Sequence, residues 1–211
     1  MHLSQWIEGL AQLLAPPTCA GCDLAMADSA LFCPACEPLV EPAMSGQRPP
    51  AATAAVLRYG GPLADAVCRF KYAGRSDLGG RLGAQLAASA EVYAGEVDRV
   101  VPLPLHRSRL RERGFNQAAL LARPVARRLA IPLDTTTLRR VRPTRAQAGL
   151  SPDERLDNVR SAFVATPRSE GLRVLLIDDV RTTGATLTSA ALALREAGLV
   201  VRATLALAQA D

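Results

Sequence analysis

The sequence predicts an α/β fold, a mostly parallel sheet flanked by helices, with a small cysteine-bearing module ahead of it. Three observations carry that expectation. Strand-like runs alternate with helical stretches from residue 54 onward, and parallel strands need such crossovers. The run Val174-Leu175-Leu176-Ile177 is apolar on both of its faces, as a strand covered by helices on each side must be. Two Cys-x-x-Cys pairs stand close together before the alternation begins.

Composition agrees with that class. The chain has 211 residues, 49% hydrophobic and 21% charged, which is enough apolar surface for a core and too much for disorder. No run of about eighteen uninterrupted apolar residues occurs, so neither a spanning helix nor membrane insertion is expected. The formal net charge is +5. Lys71 is the only lysine, and the other 24 cations are arginines, whose planar fork suits phosphate. This charge permits an anionic ligand or nucleic acid without demanding either. Residues 1–16 carry no Lys or Arg and Glu8 interrupts their apolar stretch, so no export signal is expected and a cytoplasmic location is. Cysteines are reduced in that compartment, which disfavours disulfides.

The elements follow in chain order. Leu3, Trp6, Ile7, Leu10, Leu13 and Leu14 recur at helical spacing, with Ser4 as a cap and Pro16-Pro17 as the stop. Next come Cys19-Ala-Gly-Cys22 and, ten residues on, Cys33-Pro-Ala-Cys36. Each pair can grip one ion with two thiolates, and four thiolates in tetrahedral array suit zinc. Such a set leaves no open position for catalysis, so the zinc is expected to be structural. Residues 41–52 concentrate Pro, Gly and Ser and mark a boundary between a module at 1–45 and a larger domain at 50–211. Ala54–Tyr59 reads as a strand. Pro62–Tyr72 and Leu78–Tyr93 read as helices separated by Gly74, with Cys68 a small buried residue of the first. Arg99–Pro102 is a short buried strand, Asn116–Leu129 a helix and Thr135–Val141 a strand. Arg173–Asp178 is the apolar strand, Ala185–Ala197 a helix and Leu199–Leu207 a last strand.

The segment from Val174 to Thr186 is the most informative. An apolar strand ends in Asp178 and Asp179, and the turn Val180-Arg181-Thr182-Thr183-Gly184 then opens a helix at Ala185. In α/β folds ligands bind at the carboxyl ends of the strands. The first N–H groups of the helix and the hydroxyls of Thr182, Thr183 and Thr186 suit a phosphate monoester. Two carboxylates cannot favourably face that phosphate, so they must face a sugar diol, Mg²⁺, or both.

These thirteen residues resemble the loop that binds phosphoribosyl pyrophosphate (PRPP) in type I phosphoribosyltransferases. Further segments are similar to the ComF family of competence-associated, phosphoribosyltransferase-like proteins. They are Val101-Pro102-Leu103-Pro104 followed by Arg113-Gly114-Phe115-Asn116-Gln117, Phe70-Lys71-Tyr72 with Gly74, and Gln147 with Leu150-Ser151, Arg155, Asn158 and Phe163. The paired Cys-x-x-Cys belongs to the same pattern. The resemblance implies the type I phosphoribosyltransferase fold. It implies that Asp178 and Asp179 hold the ribose hydroxyls and are the candidate catalytic pair. Thr182, Thr183, Gly184, Ala185 and Thr186 would wrap the 5′-phosphate. Pro102, Leu103 and Pro104, with Arg113, would form the pyrophosphate loop. Arg181 departs from the apolar residue usual at its position, and could reach a phosphate or point into solvent.

Cations must also serve the departing pyrophosphate, and Mg²⁺ with one or two arginines could supply them. Arg107, Arg109, Arg111 and Arg113 share a face if extended and spread around the axis if helical. Arg139, Arg140, Arg142 and Arg145 form a second cluster, from which Arg145 is the candidate beside Arg113. His106 is expected at the surface or as a cap. Two functions are compatible with all this. One is a Mg-dependent phosphoribosyl transfer. The other is a non-catalytic accessory protein that takes PRPP only as a ligand and handles single-stranded DNA alongside DNA-uptake or recombination proteins.

Overall fold

The computed structural model describes residues 17–44, 46, 52–142, 162–166 and 170–210. The expected helix over residues 3–14, Arg145, and the motif residues from Gln147 to Asn158 lie outside them.

Four parallel strands form the main sheet: β1 (Thr53–Arg58), β2 (Arg99–Pro102), β5 (Arg173–Arg181) and β6 (Val200–Gln209). Their spatial order is β1–β6–β5–β2. Helices α1 (Gly61–Tyr72) and α2 (Leu78–Ala90) connect β1 to β2, and α5 (Ala185–Glu196) connects β5 to β6. Two more helices, α3 (Arg107–Arg113) and α4 (Gln117–Leu129), follow β2.

Alternation along β5 explains the two-sided core. Leu175 and Ile177 pack with Leu63 and Phe70 of α1, Leu82 and Leu86 of α2, and Leu121 and Val125 of α4. Val174 and Leu176 point the other way, into a cluster with Leu187, Ala190 and Leu194 of α5. Successive strand residues face opposite sides, so a strand buried on both must be apolar at every position. On the first side α2 presses close to α4. A Cβ added to Gly79 would lie 2.7 Å from Leu120 Cβ, and one added to Gly83 would lie 2.8 Å from the Leu121 carbonyl oxygen.

Two sequence expectations need correction, and one open choice is settled. Thr135–Val141 is not one strand. Asp134 Oδ1 accepts hydrogen bonds from the amides of Thr136 (2.9 Å) and Thr137 (3.0 Å), a turn that delays the strand to β3, Leu138–Arg140. This β3 pairs antiparallel with β4 (Phe163–Ala165), outside the main sheet. Cys68 is exposed, because Leu63, Ala66, Val67 and Phe70 make up the inward face of α1 and Cys68 falls off it. The open choice at residues 107–113 resolves to a helix, capped by His106 Nδ1 accepting from the Ser108 amide and closed by Gly114 at φ +80°.

The cysteine segment joins the first core cluster through Cys19, Ala20, Leu31, Phe32, Cys33 and Cys36. Two arginines anchor it. Arg69 on α1 donates to the Ala20 carbonyl (2.9 Å), and Arg81 on α2 donates to the carbonyls of Thr18 (2.9 Å) and Leu31 (3.1 Å). Residues 41–43 run beside β1, with the Ala43 amide donating to Val56 and the Arg58 amide to Glu41.

Candidate functional site

The four cysteines come together as their spacing requires. The sulfur atoms of Cys19, Cys22, Cys33 and Cys36 all lie within 4.8 Å of one another. The Cys33 amide donates to Cys19 Sγ at 3.2 Å. Burial disfavours the Cys19 thiolate, yet the amides around it, led by those of Cys22 and Cys33, outweigh burial and bring its pKa down to about 6. Cys36 is pushed up to about 12, first by burial and then by the neighbouring sulfurs. Four sulfurs at this spacing cannot all ionise without a cation among them. A closed set of four soft thiolates fits zinc in a structural role.

The second site is built at the carboxyl end of the sheet. β2 pairs with β5 so that Pro102 stands opposite Ile177. Asp178 and Asp179 follow at once. Main-chain donors orient both side chains. The Asp179 amide donates to Asp178 Oδ1 (2.8 Å), and the Val180 amide to Asp179 Oδ1 (2.6 Å). Asp179 is buried and forms an ion pair with Lys71 of α1, Nζ to Oδ2 3.0 Å. Among the described residues Asp178 carries no such bridge. Burial, and then the charge of Asp179, push its pKa up to about 8, against the pull of Lys71.

The loop after β2 stands beside this pair. The Leu103 amide donates to the Ile177 carbonyl (2.8 Å), and Asn116 Nδ2 donates to the Leu103 carbonyl (3.1 Å). Asn116 also caps α4 by accepting from the Ala118 amide (3.1 Å). One side chain thus ties the loop to the helix that follows.

Between these parts lies a cavity of about 240 Å³. Of the expected site residues, Asp178, Asp179, Leu103, Pro104, Arg113 and Thr186 line it. Thr182, Thr183, Gly184 and Ala185 form the adjoining turn instead. There Gly184 takes φ +80°, a conformation that favours glycine, and precedes the first turn of α5. Gln209, at the end of β6, accepts from Arg181 Nε and donates to the Thr182 carbonyl (3.1 Å), which braces the turn from below. Arg181 therefore belongs to that brace.

The cavity also recruits residues that had no assigned role: Lys71, Gln117 and Arg140. Arg140 came from a recognised cluster, whose Arg139 is exposed. Lys71 had a compositional signal, as the one lysine among so many arginines. At the cavity, the Arg113 guanidinium lies 5.1 Å over the ring of Tyr72, which is 70% exposed.

Comparison with known proteins agrees with this architecture. The phosphoribosyl transferase domain family matches residues 116–210, which span α4 to β6 and include the Asp-Asp-Val-Arg-Thr-Thr-Gly turn. The fold is thus that of type I phosphoribosyltransferases: a parallel sheet flanked by helices, with the acidic pair and its turn at the carboxyl edge. "DNA utilization protein YhgH" of Salmonella typhimurium is 33% identical over 180 residues, 80% of this chain and 79% of that protein. "Competence protein F" of Haemophilus influenzae is 40% identical over 105 residues, 48% of this chain and 46% of that protein. The chain belongs to the ComF family. Among solved structures, adenine phosphoribosyltransferase from Leishmania tarentolae is 15% identical, with 62% of this chain and 69% of that chain covered and a TM-score of 0.38. Among the described residues no helix is long and apolar enough to cross a membrane.

Proposed function

We propose that the protein binds PRPP at the carboxyl edge of its sheet and transfers the phosphoribosyl group, with release of pyrophosphate, in the context of DNA uptake. One observation carries the ligand assignment. Asp178 and Asp179 end β5, the Gly184 turn opens α5 directly after them, and the loop after β2 lies across the gap. Carboxylates accept from a diol, the turn and helix start receive a 5′-phosphate, and cations on the far side meet the pyrophosphate. Asp178 and Asp179 would hold the 2′- and 3′-hydroxyls. Thr182, Thr183, Gly184, Ala185 and Thr186 would enclose the phosphate. Pro102, Leu103, Pro104 and Arg113 would face the leaving group.

The chemistry needs positioning and charge stabilisation, and no protein nucleophile. Breaking the C1–O bond leaves positive charge on the ribose and negative charge on pyrophosphate. Arg113 and Arg140, both at the cavity, suit the second. Magnesium fits the oxygen-rich acidic pair and its ligand, and would supply further charge neutralisation at the pyrophosphate. Zinc on the four cysteines would serve the fold.

The DNA context rests on relatives named for DNA utilization and competence, together with the arginine-rich α3. The exposed Tyr72 stacked under Arg113 favours a second reading. In it the protein is a non-catalytic cytoplasmic accessory that holds single-stranded DNA, next to uptake or recombination proteins, and takes PRPP only as a ligand.

Calorimetric titration with Mg²⁺ and PRPP tests the site. Asp178→Ala with Asp179→Ala should abolish binding while circular dichroism stays native. Wild-type affinity in that variant removes the assignment. Pyrophosphate release, assayed with and without nucleobases and single-stranded DNA, separates the two readings. Single-stranded DNA binding should be weak and fall steeply with salt, because arginine–phosphate contacts release counterions. Binding indifferent to salt contradicts it.

A further inference from the structure

Two groups at the cavity hold polar atoms with bonding capacity that the described residues leave unfilled. Lys71 has three N–H donors. Among the described residues its hydrogen-bonding partner is Asp179, at 3.0 Å, and its side chain is 18% exposed. Gln117, the first residue of α4, is 1% exposed, and neither Nε2 nor Oε1 has a hydrogen-bond partner among the described residues. A buried carboxamide left unpaired is costly, so its retention points to a partner that arrives with a ligand. The two residues come from different helices, and both line the cavity that reaches Asp178 and Asp179.

The composition adds an independent argument. Every other cation in the chain is arginine, so Lys71 is an exception to a strong bias. A compact ammonium carries three rotatable donors, so it can pair with Asp179 and still turn a proton to a ligand. The position of the cavity selects the ligand group. Its wall runs from Leu103 to Ala118 along the loop after β2, α3 and the start of α4, and of the residues assigned to the 5′-phosphate it takes Thr186 alone, with Val180 beside the acidic pair. It is therefore the side away from the 5′-phosphate.

We propose that Lys71 and Gln117 are specificity residues that hold the diphosphate on C1 of the sugar, and so distinguish PRPP from ribose 5-phosphate. This rests on the PRPP reading of the site. Lys71 bridges Asp179 and a diphosphate oxygen, so that one ammonium joins the diol side of the site to the leaving-group side. The Gln117 amide donates to a second diphosphate oxygen, and its carbonyl accepts from water or a hydroxyl beside it.

The test titrates PRPP, ribose 5-phosphate and inorganic pyrophosphate into wild type, Lys71→Met and Gln117→Leu. Each variant should weaken PRPP and pyrophosphate by about tenfold or more, the usual size for a lost hydrogen bond to a charged group. Ribose 5-phosphate should stay within about twofold for Gln117→Leu, which loses no contact to that ligand, and should weaken less than PRPP for Lys71→Met, which also leaves Asp179 without its counter-ion. Gln117→Leu discards two unpaired atoms, so it should melt no lower than wild type while it binds PRPP less well. This variant keeps the proposal testable even if Lys71→Met fails to fold. Equal weakening of PRPP and ribose 5-phosphate overturns the proposal, because the residues then act only through the acidic pair. Unchanged PRPP affinity in both variants also overturns it and leaves the PRPP reading intact. A wild type that binds no PRPP overturns both.

Discussion

Burial and the charge of Asp179 favour the protonated form of Asp178 in the folded chain over the unfolded one. The Asp178 pKa, raised from 3.8 to about 8, makes folding pH-dependent. Between those two values the folded state binds more protons than the unfolded state, so this residue's contribution to stability declines as pH rises from 3.8 toward about 8. Asp178→Asn removes the titration and should flatten the decline, which urea unfolding at several pH values between them will read. Binding has the opposite slope. A diol prefers the carboxylate as acceptor, so PRPP affinity should rise over the same range in wild type. At this scale the sequence was partly legible. The acidic pair, the threonine turn and the four cysteines stand out because each is a fixed local spacing, and the fold keeps each set together. Lys71 and Gln117 do not, since their meaning depends on α1 and α4 reaching one cavity, which is a matter of tertiary placement.

Helix α2 shows how an element is read and misread. Its apolar spacing is plain in the sequence, but nothing local says that Gly79 and Gly83 face another helix. They lie one turn apart and let α2 approach α4 closely, against Leu120, Leu121 and Pro124. Gly83→Ala would place its Cβ 2.8 Å from a carbonyl oxygen that belongs to backbone and cannot swing away. We expect a loss of about 1–3 kcal/mol despite alanine's better helix propensity. In a chain of this size that lowers the melting temperature by roughly 2–4 °C per kcal/mol, measurable by thermal denaturation. Gly80 has no atom within 4 Å of an added Cβ, so Gly80→Ala is the control, neutral or slightly stabilising. In the main sheet β5 was legible for a different reason, since its stretch Val174–Ile177 is buried on both faces and must be apolar throughout. The hairpin of β3 and β4 was not. Its three-residue strands are too short to show a period, and Asp134 imposes a turn where three consecutive threonines suggest extension.

The cysteine segment is fastened to the rest by shared apolar packing and by Arg69 and Arg81, so metal and fold should be lost together. We expect about one zinc per chain by metal analysis, reflecting a binding energy on the order of 10 kcal/mol in isolated zinc fingers. Cys19→Ser or Cys36→Ser should lower solubility and melting temperature, and a strong chelator should do the same to wild type. Stable, soluble protein without zinc contradicts this.

The strand order carries a consequence for the chain as it is made. β6 is the last strand along the sequence, yet it lies inside the sheet between β1 and β5. Until Val200–Gln209 has been synthesised, β1 lacks its parallel neighbour and keeps only the short bridge to residues 41–43 among the described residues, while β5 has an open edge. A ribosome-bound chain ending before Val200 therefore holds nearly all its apolar surface without the means to cover it. Such a chain exposes strand edges that invite aggregation, and it is a natural client for chaperones during translation. Folding is in this sense deferred to the final strand. A nonsense mutation just upstream of Val200 should yield a protease-sensitive product, however much of the ligand site it already encodes.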